Sequence, residues 1–205
     1  LGHMGFAARL LPSTSNPVVF AIRPGRPDRP TDMFYGHYDV QPADPLDAWT
    51  TPPFAPAIRN GRVYARGAQD NKGQIFYVLK ALETLLKNTC LDHTVKLIFE
   101  GDEESGSRGT REALSSELDT IKSDYLISCD ALAVAPNVPT ITMGLRGMDS
   151  LSVTLHGPNH DMHSGSHGGR VPNPAAGLAR LLTSLHNPDG TIEVDGFYGG
   201  VDEPT

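Results

Sequence analysis

The chain has 205 residues, enough for one large domain or one and a half ordinary ones and too few for a multi-domain array. Its 21 glycines and 17 prolines stay below the roughly 25–30% share that marks a low-complexity disordered chain, so a loop-rich folded protein of the α/β or α+β class is expected. A net charge of −7 without a long basic run argues against nucleic acid and anionic membrane as partners, and no apolar run approaches the roughly 18 residues of a membrane span.

Residues Leu1-Gly2-His3-Met4 read as a vector-derived leader and are set aside from the fold. Val18–Ile22, an apolar run between Pro17 and Pro24, predicts a strand, and Met33–Gly36 a second. Five prolines between Asp39 and Pro56 forbid a helix or central strand there. Asn60-Gly61 is a turn signal leading into a short strand over Arg62–Ala65. The period then changes: Ile75, Val78, Leu79, Leu82, Leu85 and Leu86 make the apolar stripe of a helix from about Gly73 to Asn88. Val95–Phe99 reads as a buried strand, Arg108–Leu118 as a helix and Tyr125–Cys129 as the next strand. This alternation predicts a mostly parallel or mixed sheet with covering helices.

The pattern shifts after Gly147. Leu151, Val153 and Leu155 alternate with polar residues, which predicts a half-exposed antiparallel strand. Asn173-Pro174 starts a helix carrying Leu178, Leu181, Leu182 and Leu185. The expected organisation is therefore a leader over residues 1–4, an α/β unit over 5–146 and a smaller α+β unit over 147–205. Cys90 and Cys129 form no CxxC pair or disulfide framework, which favours a reducing compartment and a cytoplasmic location.

Acids and histidines gather at one kind of place. His37 and Asp39 follow the second strand, Asp70 precedes the first long helix, Glu103 and Glu104 follow Val95–Phe99, and Asp130 follows Tyr125–Cys129. In open α/β sheets, sites form outside the carboxyl ends of strands, so these segments are candidates for one cleft. Carboxylates converging there would repel one another unless a divalent cation, or two, neutralised them. One imidazole among carboxylates suits Zn²⁺, Mn²⁺ or Co²⁺. Plain structural readings stand beside this one: Asp70 as a helix cap, Asp102 and Glu103 at a helix N-terminus, His37 as a core histidine. There is no HExxH, GxSxG or P-loop, and Ala113 occupies the position where an EF-hand would need its twelfth-residue carboxylate.

Gly36-His37-Tyr38-Asp39-Val40-Gln41-Pro42, Arg66-Gly67-Ala68-Gln69-Asp70-Asn71-Lys72-Gly73, Glu100-Gly101-Asp102-Glu103-Glu104-Ser105-Gly106-Ser107 and Asp161-Met162-His163-Ser164-Gly165, in that order, resemble the signature segments of the M20 metallopeptidase family, and within it the dipeptidase branch of cytosolic nonspecific dipeptidase and carnosinase-like enzymes. The resemblance implies a zinc-exopeptidase-like catalytic domain with two divalent cations, Zn²⁺ first and Mn²⁺ as the alternative. It makes His37 and Asp130 ligands of one metal, Glu104 a ligand of the other and Asp70 a bridge before a cis peptide. Asp39 would orient His37, and Glu103 would act as general base on a metal-bridging water. His163 would stabilise the oxyanion of the tetrahedral intermediate, often across a dimer interface. The implied substrate is a dipeptide or small peptide; an N-acyl amino acid deacylase and a catalytically silent dimerisation or binding protein are the alternatives. M20 enzymes are about twice this long by resemblance, with a last metal-ligand histidine after the lid domain. The chain, ending at Val201-Asp202-Glu203-Pro204-Thr205, therefore reads as an N-terminal fragment, weak or inactive alone, whose full-length form dimerises through the lid.

Overall fold

In a computed structural model, the structure describes residues 1–88, 91–135 and 137–201, which places Cys90 and the terminal Asp202–Thr205 outside the described residues. The described chain divides into two units, Leu1–Met143 and Gly144–Thr205.

The first unit is built on a five-stranded mixed sheet. Its strands, in chain order, are β1 (Ala7–Leu11), β2 (Val18–Arg23), β3 (Thr31–His37), β6 (Thr94–Glu100) and β7 (Tyr125–Ser128), and they lie side by side as β1-β2-β6-β3-β7. A separate hairpin of β4 (Ala57–Arg59) and β5 (Arg62–Tyr64) turns at Asn60-Gly61, both at positive φ. β1, β2 and β6 pair antiparallel, whereas β6 with β3 and β3 with β7 pair parallel. The helices are α1 (Lys72–Asn88) and α2 (Arg108–Ser115).

Alternation along β2 and β6 divides the core in two. Ala21, Val95, Leu97 and Phe99 face Leu82 of α1, with Ile75, Val78, Leu79 and Leu86 packed against them. Val18, Phe20 and Ile98 face the other way, onto Ala113 and Leu114 of α2. Both faces of the sheet are thus covered, and β6, the middle strand, reads as a nearly continuous apolar run because it is buried on both sides. Lys96, the exception, reaches past the core and donates from Nζ to the Thr120 and Lys122 carbonyls. β1 carried no strand signal. Leu11 is its one buried residue, as befits an edge strand paired on a single side. Leu1 and Met4, set aside above, lie in a 3-10 turn and pack on the α1-side core.

The second unit holds α3 (Ser164–His167) and α4 (Pro174–Thr183). Asn173 caps α4, its Oδ1 accepting the N–H groups of Ala175 and Ala176 at 2.9 and 3.4 Å, with Pro174 in the first turn. The strand predicted over Leu151–Leu155 does not form. Alternation alone gives no ladder, and nothing among the described residues pairs with this segment. Leu155 instead lies against α4, where a Cβ on Gly177 would sit 2.5 Å from its Cδ2. No described helix is long and apolar enough to cross a membrane.

The middle of β6 should dominate stability. Leu97→Ala, at a site with no exposed surface, is expected to cost about 2–5 kcal/mol. Leu10→Ala, on the exposed side of β1, should stay within about 0.5 kcal/mol; denaturant midpoints of the two variants give the comparison.

Candidate metal centre

Parallel pairing sends β3, β6 and β7 the same way, so their carboxyl ends share one edge of the sheet. His37, the last residue of β3, is in register with Glu100, the last of β6, and β7 delivers Asp130 two residues beyond its end. The start of α1 closes in from above. It can approach because Gly36 has no side chain: a Cβ there would lie 2.6 Å from Asn71 Oδ1 and 2.8 Å from Ile75 Cγ1. The Asp70–Asn71 peptide is cis.

The imidazole of His37 is buried and lies among carboxylates. Its Nε2 is 2.9 Å from Asp70 Oδ1, 3.6 Å from Asp130 Oδ2 and 4.0 Å from Glu103 Oε2. Its Nδ1 is 3.2 Å from Asp39 Oδ1, while Asp39 Oδ2 accepts the Glu104 N–H at 2.9 Å. One carboxylate thereby ties the imidazole to the loop after β6. Glu104 Oε2 accepts from Gln41 Nε2 at 2.7 Å. His37, Asp70 and Asp130 bring one donor atom each within 4.8 Å of one another, and His37, Glu103 and Glu104 do the same. The six residues His37, Asp39, Asp70, Glu103, Glu104 and Asp130 therefore gather in one place.

Asp102 belongs to the scaffold. Its carboxylate accepts the Gly109 N–H at the start of α2 and the Ser105 hydroxyl, both at 2.8 Å, so the plain helix-terminus reading holds for this acid. Glu100, buried at the end of β6, accepts the Tyr35 hydroxyl at 2.5 Å and the Ser107 hydroxyl at 3.1 Å. Burial and this bond push the Tyr35 phenol upward. His163 lies in the second unit, where its Nδ1 accepts the Gly165 N–H at 3.1 Å. In the neutral ring that bond leaves the proton on Nε2, so the exposed edge of this imidazole is a donor.

The site's electrostatics ask for a cation. Burial raises the Asp130 carboxyl, His37 opposes the rise and Asp70 adds to it. Burial likewise raises Glu103, with His37 opposing and Asp130, Glu104 and Asp39 adding. Burial would lower His37, but Asp130 and the bond to Asp70 outweigh it and leave the imidazole raised. A divalent cation relieves this crowding directly, and an imidazole with several carboxylates is the donor chemistry it takes. The residues present fit the metal.

Gln41 and Asn71 belong to the site and carried no role in the sequence. Both lie inside the motif segments, but an uncharged amide there signals nothing by itself. The buried Asn71 side chain contacts both His37 and Asp130.

The family model for peptidase family M20/M25/M40 matches residues 33–201. The chain is 36% identical over 194 residues to the Cys-Gly metallodipeptidase dug1 of Schizosaccharomyces pombe, covering 92% of this chain and 40% of that one. It is 38% identical over 188 residues to the Beta-Ala-His dipeptidase of Homo sapiens, covering 90% and 37%. Among solved structures it resembles the M20 family metallo-carboxypeptidase Sso-CP2 from Sulfolobus solfataricus, with a TM-score of 0.77, 34% identity and coverage of 98% and 46%. The chain thus spans about two fifths of the length of the curated relatives it matches.

Asp39 has two acceptor oxygens serving two N–H donors. Asp39→Asn turns one of them into a donor facing a donor, and is expected to lower affinity for a divalent cation about 10–100-fold. Competition with a coloured chelator, on the variant and the unmutated chain, measures this.

Proposed function

The chain belongs to peptidase family M20/M25/M40, and we propose that it carries the metal-site part of a dinuclear metallopeptidase that cleaves dipeptides or other small peptides. The observation that carries this reading is the buried His37 imidazole ringed by Asp39, Asp70, Glu103, Glu104 and Asp130 at the shared ends of three parallel strands. The dipeptidase names of the two curated relatives favour a small peptide over other amide substrates.

His37 and Asp130 would hold one cation, Glu104 the other, and Asp70 both. When bound, such cations lower the pKa of water and polarise a scissile carbonyl. Zn²⁺ suits the set, as does Mn²⁺. Asp39 keeps the His37 ring in orientation through Nδ1. Glu103 moves the proton: its carboxylate takes one from the attacking water and returns it to the nitrogen of the leaving amine, which departs neutral. Burial, with the neighbouring carboxylates adding to it, raises Glu103 from the ordinary carboxylate range, the direction that strengthens a base. From the family resemblance, His163 would donate to the oxyanion of the tetrahedral intermediate across a dimer interface of the longer protein, and its Nε2–H is the group that would do so. The second unit is proposed as the start of a lid and dimerisation domain in the longer protein, and a cytoplasmic setting rests on the cysteine content alone.

In the complete polypeptide bearing this segment, Glu103→Gln is expected to retain its metals and lose about 10²–10⁴-fold in dipeptide turnover. Elemental analysis and a dipeptide hydrolysis assay read the two separately. Full turnover by the variant would remove Glu103 from the proton path. Cleavage of N-acetyl amino acids with dipeptides untouched, by the unmutated protein, would instead make it a deacylase.

A further inference from the structure

We propose that the Asn71 carboxamide is a positioning group that replaces one rung of the β3–β7 ladder and thereby sets the spacing of His37 and Asp130. The part of this inference that concerns metal rests on the function proposed above; the part that concerns the strands does not.

The ladder itself shows where the rung is missing. Met33 pairs with Leu126 and Tyr35 with Ser128, and the Cys129 N–H donates to the Tyr35 carbonyl at 3.0 Å. In a parallel pair, the next bond would run from the His37 N–H to the Cys129 carbonyl. It is replaced by two bonds through one side chain. The His37 N–H donates to Asn71 Oδ1 at 3.0 Å, and Asn71 Nδ2 donates to the Cys129 carbonyl at 2.7 Å. A primary amide, with an acceptor at one corner and a donor at the other, is the group that can be inserted between an N–H and a carbonyl and leave both satisfied.

The insertion acts on one side of β3 only. On the other side the β6 ladder continues one residue past His37, with the Tyr38 N–H donating to the Glu100 carbonyl at 2.7 Å. β3 is therefore held to β6 while β7 is spread from it at the level of the donor atoms. Asn71 Nδ2 also lies 3.2 Å from Asp130 Oδ1, which leaves Asp130 Oδ2 as the oxygen nearer His37 Nε2. Gln74, in the first turn of α1, extends the device. Its Oε1 accepts from Asn71 Nδ2 at 2.8 Å and its Nε2 donates to the Ala131 carbonyl at 3.0 Å. Asn71 has no exposed surface, and the space for its Oδ1 exists because Gly36 lacks a Cβ. Gly36, Asn71 and Gln74 thus act together.

Amide hydrogen exchange on the metal-free, ¹⁵N-labelled 205-residue chain, with Co²⁺ titration followed by visible absorbance, tests this. In Asn71→Ala the His37 amide should exchange about tenfold faster, the size of one lost hydrogen bond, while the Tyr38 amide keeps its rate; Co²⁺ affinity should fall about tenfold or more. An unchanged His37 amide, or equal acceleration of His37 and Tyr38, overturns the proposal. Should the variant not fold, the unmutated chain decides: the Asn71 carboxamide protons must exchange much more slowly than those of the exposed Asn60, and equal rates overturn it. Failure of the unmutated chain to take up Co²⁺ counts against the metal reading, and leaves the His37 amide to judge the positioning.

Discussion

The register between β3 and β6 is the constraint on which the site depends. His37 stands opposite Glu100 because seven consecutive residues of each strand pair in parallel, and a slip of one residue would turn every side chain of β3 to the other face. The two-sided core fixes that register. Met33 on β3 and Ile98 on β6 belong to the cluster under α2, while Val95, Leu97 and Phe99 belong to the cluster under α1. Apolar burial far from the site thus decides which atoms meet in it. The same burial raises the Glu103 and Asp130 carboxyls, and the neighbouring carboxylates add to the rise.

Two kinds of acid sit within a few residues of each other after β6, and their partners separate them. Glu100 accepts hydroxyls from Tyr35 on β3 and from Ser107, and Asp102 accepts the Ser105 hydroxyl and the Gly109 N–H of α2. Glu103 and Glu104 turn toward His37 and keep most of their acceptor capacity. The scaffold acids reduce the cost of the functional ones: by holding the loop through several hydrogen bonds, they offset the repulsion that the crowded carboxylates impose. Asp39 joins both sets, since one oxygen orients the imidazole and the other fixes the Glu104 backbone.

The sequence made much of this legible, because the signals were local. The apolar stripe from Ile75 to Leu86 marked α1, the uninterrupted run Val95–Phe99 marked the strand buried on both faces, and acids placed just after strands marked the shared edge. What could not be read depends on pairing. Ala7–Leu11 has no alternation, and its strand exists because β2 offers a free edge. Leu151–Leu155 has alternation and no strand, because among the described residues it has no partner. Asn71 is the sharpest instance. Its uncharged amide carries no signal in the sequence, because its partners come from β3 and the end of β7, 34 and 58 residues away.

That contrast bears on how a rigid sheet can hold a metal site. A parallel ladder left to itself keeps neighbouring strands about 4.8 Å apart along its length, and side chains at its end then diverge into solvent. Inserting a carboxamide where the ladder stops adds the width of one amide group between β3 and the segment after β7, and returns both backbone groups to a hydrogen bond. The cost of opening the sheet is thereby small, since no buried N–H or carbonyl is stranded. The gain is geometric: Asp130 is brought out beside His37 and joined to it through the same residue that follows Asp70 in the chain. His37 and Asp130 are thus referred to a single buried side chain and Asp70 to the same residue through the chain, so that their mutual distances follow from covalent geometry and hydrogen bonds.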